Sequence, residues 1–406
     1  MTRFSALALA AFGLAAPAGA GAQAQPVPTF PARAERVVVD VVVTDRDGVP
    51  VTGLSAADFE VSEDGERQRI ASFEAVAPRP ARETGAGEGA GEAPPEPAGA
   101  PPPGLFYVVA FDDLNLTPFT VHKAKAAVAA FLRSLAEDDR VLLVSTSTGE
   151  GGFAESDAGR RELVGMLRRL KAGHLPDLSP DGMSDYEAMM IHVHRDPETE
   201  ARVARRIAAR ARAGSLSVPA LAAETYGRAA GRIRGTLRAL QQVLMGLIRE
   251  KGRKSVILVS EGFVQDPWAE ESRNVTHVAM RANAALYFVD ARGLDLGSAE
   301  YPAELNDLGI PGDLAITLAE EASATFGSEG LAEDTGGFSV RNTNDLERGV
   351  RRIADESRAY YLLGYDPTKE PDRRFRKIRV KVHRKGVRVR ARKGYYADSR
   401  PAAAAP

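Results

Sequence analysis

The stretch Leu105-Phe-Tyr-Val-Val-Ala-Phe111 is wholly apolar, and it ends at once in the oxygen-rich run Asp112-Asp-Leu-Asn-Leu-Thr117. A short apolar run without alternation fits a strand buried on both faces, the condition of a parallel sheet covered by helices on either side. The polar residues then fall at the carboxyl end of that strand, where open α/β sheets bind their ligands. Counted from Asp113, side-chain oxygens recur at Asp113, Asn115 and Thr117, a set suited to a hard cation such as Mg²⁺ or Mn²⁺. Counted from Asp112, the same places hold Leu114 and Leu116, and two donors vanish. A third reading needs no metal: Thr117-Pro118 is a good N-cap and first-turn pair for the helix that follows.

The segments after this strand repeat its logic. Val121, Ala124, Val128, Phe131, Leu132 and Leu135 recur at helical spacing, and Val141-Leu-Leu-Val-Ser-Thr146 is a second buried strand. A helix over Arg160–Leu170 and a long one over Tyr226–Ile248 flank a helical insertion at about 173–225. The strands Lys254–Gly262 and Ala285–Asp290, helices over Val275–Ala284, Leu314–Thr325 and Asp345–Ser357, and a short strand at Gly336–Val340 complete the pattern. Alternating strands and helices imply a doubly wound, mostly parallel α/β sheet with right-handed crossovers. His192 and His194 in the insertion stand at i and i+2, which do not share a helix face, so they read as surface residues rather than a chelate.

Both ends of the chain carry a different signal. Residues 35–78 read as short strands around turns at Asp45-Arg-Asp-Gly48 and Glu63-Asp-Gly65, with Asp45, Asp47, Glu63 and Asp64 as turn residues. At the other end, Tyr360–Tyr365 and the alternating Phe375–His383 and Val387–Arg392 read as strands with one packed and one wet face, over 357–397. These two sets are expected to pair in a small β-sandwich. The basic wet face suits an acidic partner or a membrane surface, or serves only as a solvated strand face that protects an edge. Between them, 79–103 is rich in Pro, Gly and Ala and reads as a disordered linker, which opens the central domain at 104–356. Residues 1–24, one Arg before a short apolar run and an Ala22-Gln23-Ala24 cleavage site, read as a signal peptide of an exported, periplasmic or extracellular bacterial protein. The mature chain is expected to lack a transmembrane segment.

Taken together, the strand ending in Asp113-x-Asn115-x-Thr117 resembles the Asp-x-Ser-x-Ser metal-ion-dependent adhesion site of von Willebrand factor type A (VWFA) domains. Asp58-Phe-Glu-Val-Ser-Glu-Asp-Gly65, Gly252-Arg-Lys-Ser-Val-Ile-Leu-Val-Ser-Glu-Gly-Phe263 and Tyr361-Leu-Leu-Gly-Tyr365 look like the bacterial secreted VWFA-related proteins, from about Glu35 to Tyr396. The resemblance implies a VWFA/Rossmann-like sheet and a protein-binding module that engages an acidic partner residue through Mg²⁺ or Mn²⁺. It places Asp112 or Asp113, Asn115, Thr117 and Glu261 at the metal, with Ser179 or Ser184 as guesses for a further hydroxyl. The alternative is a metal-independent scaffold with a decayed site, binding through the insertion or the sandwich.

Other classes are disfavoured by the residues themselves. With 53 Lys and Arg against 55 Asp and Glu, the whole molecule has no excess charge for nucleic acid. There is no cysteine to act as nucleophile or disulfide, no Gly-x-Ser-x-Gly elbow, no His-Glu-x-x-His helix and no phosphate-cradling glycine loop. The adjoining Asp112 and Asp113 are expected to point apart, not to work as an acid and base pair. A non-enzymatic role is expected.

Overall fold

The computed structural model describes residues 36–76, 104–176, 182–208, 217–263, 270–293, 322–323, 327–372 and 374–397. All of these belong to the unit Glu35–Pro406. The expected signal peptide, the 79–103 linker, Ser179 and nearly all of the helix expected at Leu314–Thr325 lie outside the described residues.

The apolar run at Leu105–Phe111 forms β5 (Phe106–Phe111), and every residue in it is buried. It is hydrogen-bonded on both sides, to β6 (Arg140–Ser145) and β8 (Lys254–Ser260), both parallel to it. The full sheet runs β10-β9-β8-β5-β6-β7, with β7 (Gly151–Ala154) antiparallel at one edge and β9 (Ala284–Asp290) and the two-residue β10 (Ser339–Val340) at the other. Alternate residues of β5 serve opposite faces. Tyr107, Val109 and Phe111 pack with α1 (Val121–Ser134), α2 (Asp157–Arg169) and, near the C-terminus, α7 (Leu346–Ser357). Phe106, Val108 and Ala110 pack with α5 (Val218–Gly246) and α6 (Glu270–Arg281). Each Leu or Phe removed from water on these faces contributes about 2 kcal/mol of transfer free energy. Among the described residues, no helix is long and apolar enough to cross a membrane.

Several boundaries differ from the expected ones. Helix α1 starts at Val121 with Thr120 as its N-cap, so Thr117-Pro118 sits in the preceding turn and caps nothing. The Thr117 carbonyl, rather than its hydroxyl, receives the first amides, from Thr120 and Val121. Strand β7 has only Phe153 as a large apolar residue, which left it without a periodic signal. The insertion holds α3 (Asp185–His192), α4 (Pro197–Ala208) and the first turns of α5, around a satellite core of Met183, Ala188, Ile191, Val203 and Ala222. His192 stacks against Tyr226 at 5.3 Å, which gives it a packing role.

The remaining strands, which include β3 (Glu66–Gln68), β4 (Ile70–Val76) and β14 (Gly394–Tyr396), form two antiparallel sheets, β13-β1-β11-β4 and β14-β12-β2-β3. β1 (Val37–Thr44) pairs with β11 (Tyr360–Tyr365) and β13 (Arg388–Ala391), while β2 (Phe59–Glu63) pairs with β12 (Phe375–Val382). Both ends of the described chain therefore share one sandwich core, which joins Val39, Val41, Phe59, Val61, Leu363 and Ile378. Glu63 departs from its expected role as a turn residue. It lies inside this core, only 1% exposed. Its carboxylate accepts hydrogen bonds from Tyr365 at 2.7 Å, Tyr395 at 2.9 Å and Arg376 at 3.1 Å. The true turn residue is Asp64, with φ of +49°. The sandwich meets the α/β part through ion pairs of Arg390 with Glu356 and of Asp40 with Arg253.

Candidate functional site: a buried carboxylate cluster at the strand ends

Register alone brings the cluster together. Phe111 stands beside Ser145 of β6 and Val259 of β8, so the next residue, Asp112, comes level with Thr146 and Ser260. Asp112 is fully buried and accepts four hydrogen bonds. Oδ1 receives Thr146 Oγ1 at 2.8 Å and Thr236 Oγ1 at 2.6 Å. Oδ2 receives Ser260 Oγ at 2.6 Å and Asn115 Nδ2 at 3.0 Å. Thr236 comes from α5, one turn before the core residue Leu240, so a helix on the sheet's face reaches over to complete the ring.

Asp113 turns toward the end of β6. Its carboxylate receives Ser145 Oγ at 2.9 Å and 3.0 Å, and its Oδ1 receives the Ser147 amide at 3.0 Å. The Thr146 hydroxyl, besides serving Asp112, lies 3.3 Å from Asp113 Oδ1, so one side chain touches both carboxylates. The expectation that Asp112 and Asp113 diverge is thus only half met: their main partners differ, but the loop after β6 ties them together.

The expected trio does not converge as a trio. Asn115 serves Asp112 and Thr236, Asp113 serves the β6 loop, and Thr117 lies with a different group. Glu261 accepts the Thr117 amide at 2.6 Å and the Thr120 hydroxyl, pinning the turn before α1. It was expected beside Asp113. Ser260, one residue earlier, is the β8 residue that reaches Asp112, because strand pleating sends successive side chains to opposite sides. Ser184, a guessed hydroxyl donor, instead caps α3 in a capping box with Glu187. Leu116 is fully buried in the core and Leu114 packs toward Gly235 of α5, so both alternate-register positions serve packing.

Five residues of the cluster were not read from the sequence: Ser145, Thr146, Ser147, Thr236 and Ser260. The first three had a visible signal, the hydroxyl run Ser145-Thr-Ser-Thr148 directly after a buried strand. Thr236 had none, since one Thr on the apolar side of a helix is indistinguishable from packing.

The segment after α2 covers the cluster. The Gly173 amide donates to the Asp113 carbonyl at 2.7 Å, and the His174 amide to the Leu116 carbonyl at 3.2 Å. Burial, with Arg232 nearby, holds the His174 imidazole below its ordinary pKa. A Cβ on Gly173 would come within 2.8 Å of the Asp113 carbonyl oxygen, so Gly173→Ala should cost about 1–3 kcal/mol in urea unfolding by pushing this cover outward.

The electrostatics of the cluster are unusual in one respect. Asp112 and Asp113 are adjacent and buried, yet all their hydrogen-bond partners are neutral hydroxyls and amides, and no Lys or Arg among the described residues forms an ion pair with either. Burial pushes the Asp112 carboxyl above the usual carboxylate range, against the opposing pull of its four hydrogen bonds. As a donor set the cluster is all oxygen and hard, and that chemistry fits Mg²⁺ or Mn²⁺. Asp112, Asp113, Thr146 and Ser147 are the residues that would hold such an ion, which would supply the missing positive charge. No group of three or more His, Cys, Asp or Glu with metal-site spacing occurs among the described residues, so a cation here would rely on hydroxyl oxygens.

Comparison with family models and with curated proteins gives no match.

Proposed function

We propose that this chain is an exported VWFA-like protein-binding module without catalytic activity, in which a divalent cation at the strand-end cluster engages an acidic side chain of a partner protein. The observation that carries the reading is the pair of adjacent buried aspartates surrounded by hydroxyls, with which no Lys or Arg among the described residues forms an ion pair. Two buried carboxylates in a low-dielectric setting are costly unless a positive charge or a proton is supplied. The sheet order, with the cluster at the carboxyl ends of β6, β5 and β8, supports a VWFA/Rossmann-like arrangement, and the sequence resemblance points the same way. Export rests on the signal-like residues 1–24.

Isothermal titration of the full chain with Mg²⁺ and with Mn²⁺ tests this reading, beside Asp112→Asn and Asp113→Asn variants checked for folding by circular dichroism. The expected result is saturable binding that both variants lose. Acidity supplies a second readout. A carboxyl whose folded pKa is raised adds stability below its unfolded pKa and loses it as pH rises through the folded value. The cation should therefore raise Tm at neutral pH, and the rise should fade on acidification into the raised Asp112 range, where protons compete for the same oxygens.

One observation favours the metal-free scaffold instead: the four donors on Asp112 already occupy both of its oxygens. Absence of binding at millimolar Mg²⁺ and Mn²⁺ would sink the cation reading and leave this cluster as a structural tie between β5, β6, β8 and α5.

A further inference from the structure

The chain as a whole has a formal charge of −2, yet Arg373–Tyr396 contains twelve Lys or Arg and no Asp or Glu. On β12 the fold sorts these cations by strand parity, and the inward one, Arg376, finds a partner in Glu63, while farther along the chain Arg390 meets Glu356 and Arg392 the Val38 carbonyl at 2.7 Å. Those that point outward from β12 do not. Lys377, Arg379 and Lys381 are all exposed, and no carboxylate among the described residues lies within ion-pair distance of them. Alternate residues on a strand are about 7 Å apart, so the three form a straight row. Their cross-strand neighbours are Gly394, Ser62 and Glu60. Two acidic residues adjoin the row, and each already meets another basic group: Asp64, which accepts the Lys377 amide at 2.9 Å, lies 3.5 Å from Lys369, and Glu60 stands 4.0 Å from Arg67 and from His383. Exposed Arg384 and Lys385 extend the row into the following hairpin.

The opposite end of the row is aromatic. Phe375, 43% exposed, meets Tyr396 at 5.3 Å and 66°, and Tyr396 meets His277 of α6 at 5.4 Å and 67°. These edge-to-face contacts occupy the rings with one another, which suits them poorly as platforms for stacking bases. An aromatic ring half out of the surface beside a row of cations is instead the arrangement that sits at a lipid headgroup boundary. A sheet face is broad and shallow, and a bilayer presents dense negative charge over a matching area.

We infer that the outer face of β12 and its neighbours docks on an anionic lipid surface, with Lys377, Arg379 and Lys381 against headgroup phosphates and Phe375 at the polar–apolar boundary. This surface is independent of the aspartate cluster, and its behaviour does not depend on whether that cluster binds a cation.

Co-sedimentation of the full chain with phosphatidylglycerol–phosphatidylcholine vesicles, and with pure phosphatidylcholine vesicles, tests the inference. The wild type should favour the anionic vesicles and release them at high salt. K377E/R379E/K381E should lose on the order of 100-fold in partitioning, at about fivefold for each cation near the surface. Phe375→Ser should lose less and leave the salt dependence intact. The apolar residues near the N-terminus are common to all these proteins, so differences between them isolate the sheet face. All three charge reversals lie on the exposed side, so the thermal melt should stay unchanged, and the wild-type salt response stands even for a variant that misfolds. Equal partitioning to neutral and anionic vesicles, or a triple variant that binds like wild type, would overturn the inference. So would binding to poly-glutamate or single-stranded nucleic acid without binding to anionic vesicles, which would assign the face to that polymer.

Discussion

Glu63→Ala is expected to destabilise the protein by about 3–5 kcal/mol, read as a lower urea midpoint with an early loss of the sandwich. The carboxylate is buried with Arg376, which is itself 3% exposed, and removing it leaves that guanidinium only the more distant, half-exposed Asp372 at 3.7 Å as a charge partner. It also strips the acceptor from two phenols, Tyr365 and Tyr395. Burial, followed by the effect of Glu63 itself, raises the Tyr365 pKa, so this hydroxyl stays protonated and remains a donor in search of an acceptor. Glu63→Gln should cost less, since it keeps one acceptor oxygen and the volume. A loss below about 1 kcal/mol for Glu63→Ala would mean that Arg376 is held by the Lys369 and Glu370 carbonyls instead.

Asp112→Ala is the second large effect. It removes the acceptor for Thr146, Thr236, Ser260 and Asn115 at once, in a place closed to water. A buried donor left unpaired costs about 1–3 kcal/mol. Partial re-pairing is available, because the Asn115 amide already donates to the Thr236 hydroxyl. The expected loss is therefore about 3 kcal/mol, short of the full sum, measured by chemical denaturation without added metal. Asp113→Ala should cost less, because Ser147 on its side is exposed and water can replace the lost acceptor. If Asp113→Ala proved the more damaging of the two, Asp113 and not Asp112 would be the centre of the cluster.

The fold was legible where physics is local. The unbroken apolar run of β5 announced a doubly covered parallel strand, and the alternation of Phe375–Val382 announced a half-wet one; both follow from side-chain periodicity alone. The pairing of the chain's two ends was also readable, because neither end had enough strands to bury its own face. Glu63 was misread because its neighbours Asp64 and Gly65 do form a turn, and sequence cannot show that the carboxylate next to a turn points inward to an arginine more than 300 residues away. The site was legible as a place and not as a constellation. Strand-end oxygens at Asp112, Asp113 and Asn115 stood out, but Thr236 enters from a helix 121 residues after Asn115, and only the packing of α5 against the sheet brings it there. Glu261 and Ser260 were exchanged in role by one step of strand pleat.

The shared sandwich has a consequence for the order in which the molecule can be made. β1 leaves the ribosome before the whole α/β portion, and its partners β11 and β13 leave after it. The α/β portion can settle from contacts made along the way, while β1 must wait for its partners until that portion has been made. Closing so long a loop costs little extra free energy, since the entropy grows only with the logarithm of length, but it costs time. A polypeptide that stops short of Phe375 can pair β2 only with β3 and leaves the other edge of β2 bare, a form prone to aggregate and be degraded. The pairing of β1 with β11 and β13 thus works as a test of progress, passed only once synthesis has run beyond the α/β portion.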